Sequence, residues 1–278
     1  MGSSIKVVYA ETEAHADQPL SEFCADWLKR FPGSKDETQL LGVCKGASVL
    51  PECKSVNKMP LFHMEGNSTR LGARKILVFG MVHGDEPWSG ALARFWMERV
   101  FGGNNRNQWR ILPAVNPDGF EAYTRTNANG VDINRNFPTH NWEKDAIAYW
   151  EKSAHKSSRR YPGKEGASEP ETKCMLRHID DYQPDLVVAI HTPYHMMDLD
   201  GPKNLSFSSA PLPWKSLGTY PGSLGRYLWR ERKIPVLTLE LGSSIKVKDE
   251  PSYRRLQDQV GEMAQKIPRR IIRNQARR

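Results

Sequence analysis

Four residues in this chain carry metal and proton-transfer chemistry at the ends of apolar runs. His83 and Glu86 stand three apart in K-I-L-V-F-G-M-V-H-G-D-E, Lys75 to Glu86. His191 closes the run D-L-V-V-A-I, and Glu240 lies inside P-V-L-T-L-E-L. Two imidazoles and one carboxylate are a ligand set for a catalytic zinc ion, with a fourth position left for water. A second carboxylate outside the ligand set supplies the base that such chemistry needs. His83, Glu86 and His191 are therefore the candidate metal ligands, and Glu240 the candidate base. Each alone is a weak signal, since eight histidines allow a chance H-x-x-E match and a strand-end histidine can be structural. Glu240 is harder to dismiss, because a buried carboxylate is costly unless paired or metal-linked. The alternative is an edge-strand residue facing water.

The elements that position these residues follow from the same runs. Ile76 to Val82 is short, β-branched and aromatic, and does not alternate with polar residues. That pattern predicts a strand buried on both faces of a mainly parallel sheet. Pro87 to Val100 recurs apolar at helical spacing, with proline in the first turn. A unit of strand, polar loop and helix sets His83 and Glu86 beyond a strand's carboxyl end, where ligands bind in such sheets. Trp109 to Val115, Asp185 to Ile190 and Pro235 to Leu241 read as further buried strands. Helices are predicted at Leu20 to Phe31, at Pro221 to Arg232, and from Ser168-Glu169-Pro170-Glu171, with a serine cap, to Tyr182. A last helix spans Glu250 to Ile272, kinked or broken at Pro268. Residues 39 to 65 read as β, starting with Q-L-L-G-V-C and turning near Lys45-Gly46. Asn116-Pro117-Asp118-Gly119 reads as a turn, and Tyr194 to Asp200 as a loop.

Thr124 to Pro138 holds two arginines, four asparagines and one aspartate in fifteen residues. So polar a stretch cannot form a core, and a long irregular segment in a compact domain is usually functional or disordered. Val131, Ile133 and Phe137 offer anchors against disorder. The expected architecture is one α/β domain over residues 39–278, with a mixed, mainly parallel central sheet and helices on both faces. Residues 1–38 are a lead-in segment packed on it.

Composition narrows the function classes. No apolar run approaches the ~20 residues of a membrane span. The amino terminus shows no signal-peptide pattern, so a cytoplasmic placement is expected; a periplasmic or secreted one is the alternative if a signal was removed. Net charge is +8, with Lys266, Arg269, Arg270, Arg273, Arg277 and Arg278 crowding the end. A solvated helix face with a basic tail explains this better than a polyanion partner, and no nucleic-acid module is visible. Cys24, Cys44, Cys53 and Cys174 lack C-x-x-C spacing, so a cysteine zinc site is not expected. Free thiols are expected, with a Cys44–Cys53 bridge across a hairpin as the alternative.

Taken in order, H-G-D-E, N-P-D-G, R-x-N-x-x-G-V-D-I-N-R-N-F, a distal strand-borne histidine and L-T-L-E-L resemble the zinc carboxypeptidase family over residues 60–245. Within it, N-A-N-G-V-D-I-N-R-N-F-P, Gly163 to Thr172 and Pro221-Gly222-Ser223 are similar to the bacterial subgroup that cuts the γ-D-glutamyl–diaminopimelate bond of murein peptides. The resemblance implies one Zn2+ per chain on His83, Glu86 and His191, with Glu240 as general base and acid. It implies Arg125 at the scissile carbonyl and its oxyanion, and Asn134 with Arg135 on the substrate's terminal carboxylate. Asp85, between the two ligands of the H-G-D-E knot, is expected to orient one of them.

Tyr220 stands near the place of a family tyrosine, at a spacing that does not fit cleanly. Thr192 replaces the subgroup's aspartate after the distal histidine. Asp198 or Asp200 is expected to meet a substrate ammonium group; a solvated loop acid is the alternative. The implied partner is a murein peptide or other short peptide. A general carboxypeptidase on protein tails, an amino-acid deacylase and a non-catalytic cell-wall-binding relative are the competing readings. The sequence leaves oligomeric state open.

Overall fold

The computed structural model describes residues 18–33, 36–203, 205–206, 212–242 and 250–268. Its elements in chain order are α1 (Leu20–Lys29), α2 (Glu37–Cys44), β1 (Ser48–Lys54), β2 (Pro60–Gly66), β3 (Lys75–Phe79), α3 (Pro87–Val100) and β4 (Gln108–Leu112). Then follow α4 (Pro117–Ala122), α5 (Trp142–Lys152), α6 (Pro170–Tyr182), β5 (Leu186–His191), β6 (Tyr194–Asp200), α7 (Leu224–Arg226), β7 (Val236–Gly242) and α8 (Glu250–Lys266). The strands form one sheet in the order β1-β2-β4-β3-β5-β7-β6. Its centre, β4-β3-β5-β7, is parallel, while β1, β2 and β6 run antiparallel at the edges. The fold is the expected mixed α/β sheet, buried on both faces.

Alternation in the central strands divides the core in two. Ile76 and Val78 of β3 and Val188 of β5 join α1, α2, α3 and α8 on one face. Leu77, Phe79 and Val187 join Met175 and Ile179 of α6 on the other. Consecutive side chains of a strand point to opposite faces, so a run apolar at every position is needed to fill both layers. The connection from β3 leads through α3 to β4 on one side, and β5 returns on the other side of β3. The carboxyl ends of β3 and β5 therefore flank a topological switch point, where open α/β sheets bind ligands.

Several expectations are corrected. Q-L-L-G-V-C lies in helix α2, not a strand. Asp36 caps it by accepting from Thr38 N and Gln39 N, and Leu40, Val43 and Cys44 turn inward at i, i+3, i+4 spacing. Asn116-Pro117-Asp118-Gly119 opens the short helix α4 rather than a free turn: Asn116 Oδ1 accepts from Gly119 N, and Pro117 sits at the first position. Residues 194–200 are the edge strand β6, not a loop. The cap position of α6 is Glu169, without a side-chain cap, and Ser168 bonds Glu169 instead. Helix α8 stops at Lys266, two residues before Pro268, and Ile267 and Pro268 are no longer helical; residues 269–272 of the expected helix, with the arginines of the tail, lie outside the described residues.

The cysteines are not free, and Cys44 does not pair with Cys53. The bridges are Cys24–Cys44, joining α1 to α2, and Cys53–Cys174, joining β1 to α6. Helix α1 packs Phe23, Trp27 and Leu28 into the core. The buried Arg94 guanidinium of α3 donates to the carbonyls of Leu28, Phe31 and Pro32 at its carboxyl end, satisfying groups that a helix terminus leaves open. No described helix is long and apolar enough to cross a membrane.

Candidate metal centre and substrate cavity

Strand ends, rather than sequence neighbours, build the centre. His83 and Glu86 come from the loop after β3, and His191 is the last residue of β5. Glu86 Oε1 lies 2.8 Å from His83 Nδ1, Glu86 Oε2 lies 3.0 Å from His191 Nδ1, and the two Nδ1 atoms are 3.2 Å apart. A tetrahedral ion with bonds of ~2.05 Å needs donors about 3.3 Å apart, so this triangle suits zinc with a slight expansion. The three residues are buried and their ligand atoms converge on one point. Burial opposes the charge on Glu86, but the imidazoles of His83 and His191 outweigh it and hold the carboxyl below the usual carboxylate range.

The knot is held tightly from behind. A Cβ on Gly84 would stand 2.0 Å from the backbone carbon of Gly119, so the loop after β3 closes on the amino end of α4 only with glycine there. Asp132, wholly buried, takes the part expected of Asp85. Its Oδ1 lies 3.1 Å from His83 Nε2 and accepts from Asn134 N at 3.0 Å, while its Oδ2 accepts from Arg125 Nε at 2.9 Å. One carboxylate thus orients a ligand, a cation and the loop between them. Burial raises the Asp132 pKa, yet Arg125 and then His83 hold it well below the ordinary value. Asp85 pairs with Arg159 at 2.7 Å instead of with either candidate ligand.

Glu240 pairs in register with His191 across β5 and β7, which places both side chains on the same face. It is 7% exposed, and its Oε2 has no partner among the described residues. Burial raises its pKa, and the nearby Glu86 charge adds to this, against the lowering effect of His191. A carboxylate pushed toward neutrality is a better proton acceptor and return donor than an exposed one.

These groups open onto a cavity of about 660 Å³, whose lining includes Arg125, Asn134, Arg135, Tyr220, Asp198 and Asp200. Arg125 Nη1 lies 3.7 Å from Glu86 Oε1, at the edge of the metal centre. The 3-10 turn Ile133–Arg135 presents the next pair, anchored by the buried Val131, Ile133 and Phe137. Asn134 Oδ1 accepts from Leu224 N, leaving its NH2 to donate. Arg135 is 9% exposed, its Nε has no partner, and no carboxylate pairs with it among the described residues. Burial lowers its pKa against the raising effect of Asp132. Tyr220 stacks under its guanidinium at 4.6 Å and lies 5.5 Å from the Tyr149 ring, so it steadies Arg135 by a cation–π contact.

The strap carrying Tyr220 depends on Gly222, whose φ is +73° and whose added Cβ would lie 1.9 Å from Arg135 O. Gly222→Ala should cost more than ~1 kcal/mol of stability and raise KM for carboxylate-ended peptides. Denaturant unfolding and steady-state kinetics on one preparation check both; an unchanged KM removes the strap from the clamp.

At the other wall, Asp198 faces Thr238 and Asp200 faces Val236 across β6 and β7, on the face that carries Glu240. Asp198 accepts from Leu199 N and Leu217 N. Asp200 has no hydrogen-bond partner among the described residues, and burial, then the neighbouring Asp198, pushes its pKa up to about 6.

The sequence profile of the family described as "Zinc carboxypeptidase" matches residues 53–198, more than half of the chain. This chain belongs to the zinc carboxypeptidase family. The family implies a zinc ion and metallopeptidase chemistry. Murein peptide amidase A of Escherichia coli (strain K12) is 35% identical over 119 residues, covering 42% of this chain and 48% of that protein. Murein peptide amidase A of Vibrio campbellii is 34% identical over 140 residues, covering 47% and 55%. The chain thus spans about half the length of the curated relatives it matches. The crystal structure of murein-tripeptide amidase MpaA from Escherichia coli O157 superposes with a TM-score of 0.54 at 26% identity, over 79% of this chain and 92% of that one. Carboxypeptidase A from Helicoverpa armigera gives 0.62 at 16% identity, over 88% and 78%, which shows the shared carboxypeptidase fold.

Asp132 is a residue of this site that the sequence did not single out. Its signal was present, as the only acid inside the polar loop, flanked by Val131 and Ile133. Thr192 adds a backbone N–H to Glu86 Oε2 at 3.2 Å, a contact no side-chain motif announces.

Proposed function

We propose that this chain hydrolyses an amide bond next to a free terminal carboxylate in murein peptides, with the γ-D-glutamyl–meso-diaminopimelate bond as its substrate. The observation that carries the reading is Arg135: a buried guanidinium without a carboxylate partner among the described residues, in the cavity that holds the candidate metal centre. A buried charge left alone is costly, and a bidentate carboxylate is the partner its planar fork fits. His83, Glu86 and His191 would hold one zinc ion, which supplies Lewis-acid polarisation when bound. Asn134 and Arg135 bind the substrate carboxylate, and Tyr220 keeps the guanidinium in plane. Arg125 faces the carbonyl oxygen and stabilises the charge that develops there. Glu240 takes a proton from the attacking water at its free Oε2 and returns it to the leaving nitrogen.

Asp200, with Asp198 behind it, offers negative charge to the side-chain ammonium of a diamino acid. The relatives named as murein peptide amidases support this choice over a general carboxypeptidase. The two disulfides support an oxidising compartment, periplasmic or secreted, over the cytoplasmic placement expected from the sequence.

Cleavage of L-Ala-γ-D-Glu-meso-diaminopimelate is to be compared with the same peptide ended in D-Ala and with a panel of ordinary peptide tails, each with and without a zinc chelator. Chelator-sensitive preference for the diaminopimelate end is expected. Cleavage of ordinary tails alone refutes the murein reading. Asp200 is neutral below about pH 6 and charged above it, so the ratio of kcat/KM for diaminopimelate over D-Ala ends should rise between pH 5 and pH 7 by several-fold. A flat ratio, or one unchanged in Asp200→Asn, removes the acid from substrate selection.

A further inference from the structure

A second group of metal-type donors lies at the β1–β2 edge of the sheet, and the hydrolytic chemistry does not use it. Cys174 and His178 stand four apart on α6 and so share one face of that helix. Cys53 faces them from β1 and is bonded to Cys174. The Sγ atoms of both cysteines and a ring nitrogen of His178 lie within 4.8 Å of one another.

His178 is 0% exposed, and neither of its ring nitrogens has a hydrogen-bond partner among the described residues. His63 of β2 meets it edge to face, with ring centroids 4.8 Å apart, and its Nδ1 is also unpartnered and buried. A neutral imidazole carries one donor and one acceptor, and native interiors seldom leave such groups orphaned. Burial keeps both rings deprotonated, His63 down to about 4 and His178 lower, with Arg110 acting in the same direction on each. Lone pairs of deprotonated imidazoles beside two sulfurs are what a thiophilic cation binds.

We propose that this corner is a redox-gated second metal site, in which Cys53, Cys174 and His178 bind Zn2+ once the disulfide is reduced. Reduction puts two electrons and two protons on the sulfur pair. With a phosphine as reductant, water supplies the protons and its oxygen leaves as the phosphine oxide. Binding of Zn2+ then displaces the two thiol protons and forms two S–Zn bonds and one N–Zn bond. The fourth position goes to water or, after a ring rotation, to His63. In both states a crosslink joins β1 to α6: a covalent one when oxidised, a metal one when reduced. One of the two orphaned nitrogens of His178 is then the ligand that the disulfide state leaves idle.

The test uses the full chain carrying Cys24→Ser and Cys44→Ser, which leaves Cys53 and Cys174 as its only cysteines, with the wild type in parallel. Each sample is titrated with Co2+ before and after reduction by a water-soluble phosphine, and bound metal is counted after desalting. The expected result is one additional ion per chain after reduction, with a thiolate-to-cobalt charge-transfer band in the near ultraviolet. Zn2+ should bleach that band and raise the melting temperature of the reduced protein. His178→Phe should lose the band or weaken metal binding at least tenfold, and Cys174→Ser should lose it entirely. Two free thiols titrating in the reduced double-serine chain with no added ion and no band overturn the proposal. So does an undiminished band in His178→Phe, or a reduced wild type whose melting temperature ignores Zn2+, a readout that needs no variant to fold.

Discussion

Glu240→Gln should lower kcat by about 10²–10⁴-fold while the protein keeps its metal. The substitution preserves shape, and the amide oxygen can still accept the Tyr194 backbone N–H that the carboxylate accepts. What it removes is a group able to take up and return a proton at Oε2, the atom without a partner among the described residues beside the candidate metal centre. Glu240 lies outside the triangle of His83, Glu86 and His191, so metal content should not change. KM should stay within about threefold, because under the proposed function Arg135 and Asn134, not the base, bind the substrate's carboxylate. Metal analysis and steady-state kinetics on the same preparation decide the matter. A variant that turns over at the wild-type rate would falsify the assignment of Glu240 as base, and one that loses its metal would make it a ligand instead.

Asp132→Asn should weaken metal binding by about 10–100-fold, and excess metal should restore occupancy without restoring full kcat. The reason is the division of its two oxygens. Oδ1 faces His83 Nε2 and the backbone N–H of Asn134, and Oδ2 receives Arg125 Nε. An asparagine must turn its NH2 toward one of these sides, where it meets a donor instead of supplying an acceptor. If it meets His83, the ring loses the contact that orients Nδ1 toward the metal. If it meets Arg125, the guanidinium loses the anion that aims it at the cavity. Competition with a chromogenic chelator measures the first loss, and kcat at saturating metal the second. Unchanged affinity together with unchanged kcat would reduce Asp132 to a packing residue.

Both predictions concern side chains whose chemistry was readable but whose partners were not. Glu240 stood out because it interrupts an apolar strand, and burial forces a carboxylate there to have a reason. Asp132 did not stand out, since acids in polar loops are ordinary; only its contacts with His83, 49 residues away, and with Arg125 give it a role. Asp85 drew attention as the neighbour of both ligands in the chain, yet it turns to Arg159. Adjacency in sequence says little about direction in a loop, where no regular period aims the side chain.

The same contrast runs through the fold. Apolar runs without alternation announced β3, β4, β5 and β7 because a strand covered on both faces must be apolar at every position. At α2, Q-L-L-G-V-C is too short for its period to separate helix from strand. Asp36, three residues upstream of Gln39, carries the deciding cap. Strand β6 escaped notice because an edge strand facing a polar cavity shows no apolar pattern: Tyr194 and His195 are exposed and Asp198 and Asp200 half-buried.

By itself, then, the sequence determined the parallel heart of the sheet, the strand ends that bear His83, Glu86, His191 and Glu240, and the polar loop that bears Arg125, Asn134 and Arg135. These follow from local periodicity and residue chemistry, which need no knowledge of distant contacts. Tertiary structure alone decided that His83 meets His191 across 108 residues, that Arg135 is buried without a carboxylate pair among the described residues, and that Cys53 pairs with Cys174 rather than Cys44. Each of these depends on which elements the sheet order and helix packing bring side by side, a property of the folded chain rather than of any stretch within it.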